Sequence, residues 1–145
     1  MKAVASFKRI KIIKIGIVAA GSIILFALVS GCVSTTSPPE KTRYTDVSVL
    51  QGKDMIDRGE VFILDVRTRE EYDAGHIRGS ALIPLQELDK RLNEIPKDKK
   101  ILVYCRTGHR STQASEILAN NGFEEVYNMK GGITEWNNSG YEIEK

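Results

Sequence analysis

The segment Val103 to Ser111, VYCRTGHRS, sets one cysteine between an apolar run and a short loop that carries a glycine, a histidine and two arginines. A cysteine attacks as its thiolate, so a reactive one needs surroundings that favour negative charge. A junction of strand, loop and helix supplies them. Successive backbone N–H groups converge on a concavity, and the helix that follows adds the positive end of its dipole. Gly108 lets the backbone turn tightly there, and Arg106 and Arg110 add full charges. Cys105 is therefore expected to titrate well below the free-thiol value of ~8.5, and an anion should be drawn to the same loop. The competing reading makes Cys105 one more small buried apolar residue after ILVY, but that reading leaves the glycine and the arginines without a purpose. His109 lies in the loop as a further candidate binding residue, and His76, in GHIRGS, reads as holding a loop by hydrogen bonding.

The elements that must position this loop follow from the alternation of apolar runs with helical patterns. VFILDV, from Val61 to Val66, and KILVY, from Lys100 to Tyr104, are near-continuous apolar runs of the kind buried on both faces of a parallel sheet. ALIP and EVYNM read as two further strands. Ser48 and Thr68 each begin a capping-box pattern, predicting a helix closed by Gly59 and a short one ending near Gly75. Leu85, Leu88, Leu92 and Ile95 recur at helical spacing until Pro96, and Ala114, Ile117 and Leu118 mark a helix that Gly122 ends. GGITEWNNSGYEI predicts a last helix and tail. Strands alternating with helices imply an α/β domain with a mainly parallel sheet, whose ligand site lies at the carboxyl ends of the strands. Cys105, the first residue after its strand, falls at that edge.

The chain has 145 residues, room for one domain, and its charges are unevenly spread. Lys2, Lys8, Arg9, Lys11 and Lys14 precede an uncharged stretch from Ile15 to Val29, a basic segment followed by an apolar one in the manner of an export signal. LVSGC, ending at Cys32, resembles the lipobox of bacterial lipoprotein signal peptides, in which the cysteine is lipidated and becomes the first residue of the mature chain. An uncleaved membrane span over Ile15 to Val33 is the alternative. Either reading puts the domain on the extracytoplasmic side of a membrane, with the lysines left in the cytoplasm.

Residues 1–31 are thus expected to be a signal, residues 32–43 a lipidated cysteine and a Ser/Thr/Pro-rich tether, and residues 44–145 the folded domain. Removing the five basic residues of the signal from 21 leaves 16 against 19 acidic ones, a net charge of −3, which gives no basic face for nucleic acid. With Cys32 assigned to lipid, Cys105 has no intramolecular partner, and two cysteines with two scattered histidines predict no metal site. No cofactor is implied.

CRTGHRS is similar to the active-site loop of the rhodanese family, Cys-x-x-Gly-x-Arg-Ser. LDVRTREEYDAGHIRGSALIP and MKGGITEWNNSGY resemble other signatures of that family in the same order. The resemblance implies a three-layer α/β domain with a mainly parallel central sheet flanked by helices. It also implies a sulfurtransferase in which Cys105 takes the outer sulfur of thiosulfate or a similar donor and passes it, as a persulfide, to a thiol, to cyanide or to a protein acceptor. Backbone N–H groups from Arg106 through Thr107, Gly108 and His109 to Arg110 would hold the anion, while Asp65 and Arg67 look structural. A sulfur-carrying or redox-sensing module would use the same loop. Cysteine phosphatases of related folds use Cys-x5-Arg, one residue longer than the Cys-x4-Arg from Cys105 to Arg110.

Overall fold

The central strands carry near-continuous apolar runs because they are covered on both sides. In the computed structural model, which describes residues 44–145, Ile101, Val103 and Cys105 face one apolar cluster, while Leu102 and Tyr104 face another. The two-residue period of a strand divides them. These residues belong to β4 (Lys100–Tyr104), which is bordered by β2 (Val61–Asp65) and β5 (Val126–Met129). The edges are β1 (Thr45–Val47) beside β5 and β3 (Ala81–Leu82) beside β2. All four pairings are parallel, in the order β1-β5-β4-β2-β3.

Helices cover both faces. On one, α3 (His109–Asn120) buries Ala114 and Leu118 against Val103 and Cys105. On the other, α1 (Val49–Asp57) and α4 (Gly132–Asn138) contribute Val49, Ile133 and Trp136 around Leu102 and Tyr104. The result is the three-layer α/β architecture with helices on either side of a five-stranded parallel sheet. Both capping boxes form: the hydroxyls of Ser48 and Thr68 accept from the N–H groups of Gln51 and Glu71, at the starts of α1 and of α2 (Arg69–Asp73).

Two elements differ from the sequence reading. The segment with Leu85, Leu88, Leu92 and Ile95 forms two 3-10 turns, Leu85–Lys90 and Leu92–Glu94, instead of one α-helix. The three-residue steps from Leu85 to Leu88 and from Leu92 to Ile95 suit a three-per-turn helix, and they still bury Leu88 and Ile95. Strand β1 had no sequence signal, because it is three residues long and two of them are exposed. The signal, Cys32 and the tether lie outside the described residues. Among the described residues no helix is long and apolar enough to cross a membrane.

Candidate active site

Cys105 leaves β4 on the α3 side of the sheet and is 1% exposed. The chain then turns back on itself through Arg106 and Thr107 to Gly108, whose φ of 105° lies in the left-handed region that a residue without Cβ adopts at no steric cost. That turn brings the Gly108 N–H to 3.1 Å from the Cys105 sulfur, as donor. The Gly108 carbonyl starts α3 by accepting from the Thr112 N–H at 3.0 Å. It also accepts from the hydroxyls of Ser111 at 2.9 Å and Thr112 at 3.0 Å.

Helix α4 fixes the other side of the loop. The carbonyls of Cys105 and Arg106 accept from the N–H groups of Ile133 at 2.9 Å and Thr134 at 3.1 Å. A trans peptide points its N–H opposite to its carbonyl, so the N–H groups of Arg106 and Thr107 are turned away from α4. The approach is close enough that a Cβ on Gly132 would collide with the Cys105 carbonyl oxygen and lie 2.7 Å from that of Arg106. Gly132, the second glycine of MKGGITEW, therefore lets α4 dock onto the loop.

Burial pushes the Cys105 thiol up, but the N–H and hydroxyl of Ser111 and the N–H groups of Gly108 and Thr107 outweigh it, and the net shift is downward. The Ser111 hydroxyl has one proton, given to the Gly108 carbonyl in the resting arrangement and available to the sulfur when it ionises. Of the two loop arginines, Arg110 also acts on the sulfur. Arg106 is exposed, and Arg110 is held by Glu71 of α2 through paired hydrogen bonds of 2.7 and 2.8 Å. That pair pushes Arg110 up and holds the Glu71 carboxyl down at about 2.

Thr107 and His109 are exposed, with His109 Nδ1 3.5 Å from Gln113 Nε2. Asp65 and Arg67 lie behind the loop as a buried ion pair at 2.6 Å. His76 stacks on Tyr72 at 3.8 Å, sets its Nδ1 3.1 Å from the Tyr72 carbonyl, and pairs its backbone with Glu144 in the tail. Two residues that touch the site were missed from the sequence. Ser111, fully buried, was legible only as the last letter of CRTGHRS, and Glu71 was assigned to its capping box alone.

Among the described residues no group of three or more His, Cys, Asp or Glu side chains is gathered as metal ligands would be. A cavity of about 300 Å³ adjoins the loop at Thr107, Gly108 and His109, beside Asn128 and Lys130. A second, of about 380 Å³, lies between α1, α4 and the tail and is lined by none of the loop residues.

The site is thus a buried thiol in a backbone cradle at the carboxyl edge of a parallel sheet. The chain belongs to the rhodanese-like domain family, whose model matches residues 48–139. It is 45% identical over 74 residues to the uncharacterized protein YqhL of Bacillus subtilis, a match covering 51% of this chain and 59% of that one. It is 37% identical over 89 residues to a sulfurtransferase of Allochromatium vinosum, covering 61% and 83%. The crystal structure of a rhodanese-related protein from Thermoplasma volcanium superposes with a TM-score of 0.65 at 33% identity, covering 70% of this chain and 98% of that chain.

Proposed function

We propose that the domain transfers sulfane sulfur through a persulfide on Cys105. The observation that carries this reading is a buried thiol whose ionised form is favoured by the Gly108 N–H at 3.1 Å and by Ser111, in a six-residue loop from Cys105 to Arg110. With thiosulfate as donor, the thiolate attacks the outer sulfur, a Cys105 S–S bond forms, and sulfite leaves with the electron pair of the bond that breaks. The terminal sulfur of the persulfide is again anionic and meets the same N–H groups. A thiolate or cyanide then attacks that sulfur, and the Cys105 thiolate is released for another cycle. The Cys-x4-Arg spacing disfavours a phosphatase, whose longer loop admits a tetrahedral phosphate.

Thiocyanate formation from thiosulfate and cyanide, compared with Cys105→Ser, tests the reading. Turnover that the serine variant lacks supports it. A persulfide that forms once per chain without turnover would make the domain a sulfur carrier, and phosphate release from an aryl phosphate in place of sulfur transfer would overturn it. For residues 1–43 we propose a cleaved signal and a lipid on Cys32, a reading supported by the LVSGC motif after its basic and apolar segments.

A further inference from the structure

Arg110 stands in the first turn of α3, facing Cys105, but its guanidinium is occupied by a carboxylate from another element. Glu71 reaches it with both oxygens, and Glu71 Oε2 also accepts the Thr68 N–H at 3.1 Å. The capping box of α2 thus sets where the carboxylate stands. The other ionisable groups near Arg110 are Cys105 itself, the exposed loop side chains Arg106 and His109, and Arg67, which is already paired with Asp65. The carboxylate at the cavity beside the loop is Asp46, which pairs with Lys130 at 3.6 Å and makes no contact with Arg110. A guanidinium paired with a carboxylate acts on its surroundings as a dipole, whose field decays faster with distance than that of a lone charge.

We propose that Glu71 is a specificity-determining positioning residue: by holding Arg110 it reduces the net positive charge at the mouth of the cradle, and with it the advantage of a doubly charged donor over donors of lower charge. The inference rests on the sulfur-transfer reading for its donors, but its effect on the charge of the site is separable from turnover. Glu71→Gln isolates that charge. A glutamine keeps an oxygen for the Thr68 N–H, so the cap survives while the anion is lost.

The probe is a pair of alkylating agents of nearly equal size, anionic iodoacetate and neutral iodoacetamide, with modification of the full chain read on the Cys105 peptide by mass spectrometry. The iodoacetate-to-iodoacetamide rate ratio should rise roughly three- to tenfold in Glu71→Gln at low salt, and the gain should shrink as salt is added. Glu71→Asp, which keeps the charge on a shorter arm, should leave the ratio near that of the unaltered protein even where both rates change. The KM for thiosulfate should fall in Glu71→Gln. An unchanged ratio in Glu71→Gln, or the same rise in Glu71→Asp, would overturn the proposal. A protein that shows the rise in ratio but no turnover with thiosulfate would uphold the role of Glu71 in the site's charge and sink the sulfur-transfer reading instead.

Discussion

Asp65 and Arg67, two residues apart at the end of β2, form a buried ring of hydrogen bonds. Asp65 Oδ1 accepts from the Arg67 backbone N–H at 2.9 Å and from Nε at 3.0 Å, while Oδ2 accepts from Nε at 2.9 Å and Nη2 at 2.6 Å. Nη2 continues to the Gly75 carbonyl at 2.8 Å, and the guanidinium lies over the Tyr104 ring at 5.6 Å. The pair therefore ties the end of β2 to the turn after α2 and to the residue before Cys105. Removing one partner leaves the other charged and out of water. Asp65→Ala should lower the stability of the domain by about 3–5 kcal/mol, measured by urea unfolding.

The thiol prediction sets one large opposing influence against several smaller ones. Burial disfavours the Cys105 thiolate, whereas Ser111, Gly108 and Thr107 favour it and win. Alkylation of the Cys105 peptide by iodoacetamide should have its midpoint below ~8.5. Ser111→Ala should raise the midpoint by about one unit, because the thiolate loses a hydroxyl donor. A midpoint at or above ~8.5 in the unaltered protein would return Cys105 to the class of inert buried thiols.

Glu71 gives a pH dependence with a definite sign. Its carboxyl is held at about 2 in the folded chain, against 4.5 ordinarily, chiefly by the hydrogen bonds from Arg110. The stability it contributes is fully present above about 4.5 and is lost as the pH falls toward about 2. The difference in unfolding free energy between the unaltered protein and Glu71→Gln, about 1 kcal/mol near neutrality for a partly exposed pair, should vanish across that window.

Gly132→Ala should be far more damaging than an exposed helix substitution. Its φ of 57° is left-handed, and the added carbon meets the Cys105 and Arg106 carbonyls. Helix α4 must retreat, so both a loss of stability of about 1–3 kcal/mol and an upward shift of the Cys105 alkylation midpoint are expected.

Intact mass measured on the native membrane fraction checks the amino-terminal proposal. A chain beginning at Cys32 and carrying lipid is expected, and residues 1–31 still attached would exclude it.

The central strands were legible because burial on both faces leaves a near-continuous apolar run, as in VFIL and ILVY. The two capping boxes were legible because their partners are only three residues apart. Strand β1 was not, since three residues carry no period, and the 3-10 turns share their leucine spacing with an α-helix. In the site, the cysteine and its glycine announce themselves locally, but the grip of Glu71 on Arg110 joins residues 39 apart and has no local pattern. Ser111 was hidden for a different reason. Only a structure reveals that a serine in the first turn of a helix is wholly buried beneath a sulfur.

The hold of Ile133 and Thr134 on the carbonyls of Cys105 and Arg106 also sets an order of events in biosynthesis. A ribosome makes the nucleophile about thirty residues before it makes the groups that shape its loop. At ~5–20 residues per second, that is roughly one and a half to six seconds during which Cys105 belongs to a nascent chain whose loop has nothing to brace it. Through that interval the cysteine has the acidity of any unfolded thiol. The loop is complete only once the carboxyl-terminal helix has docked, so a chain cut short before Gly132 carries the cysteine without the groups that brace its loop.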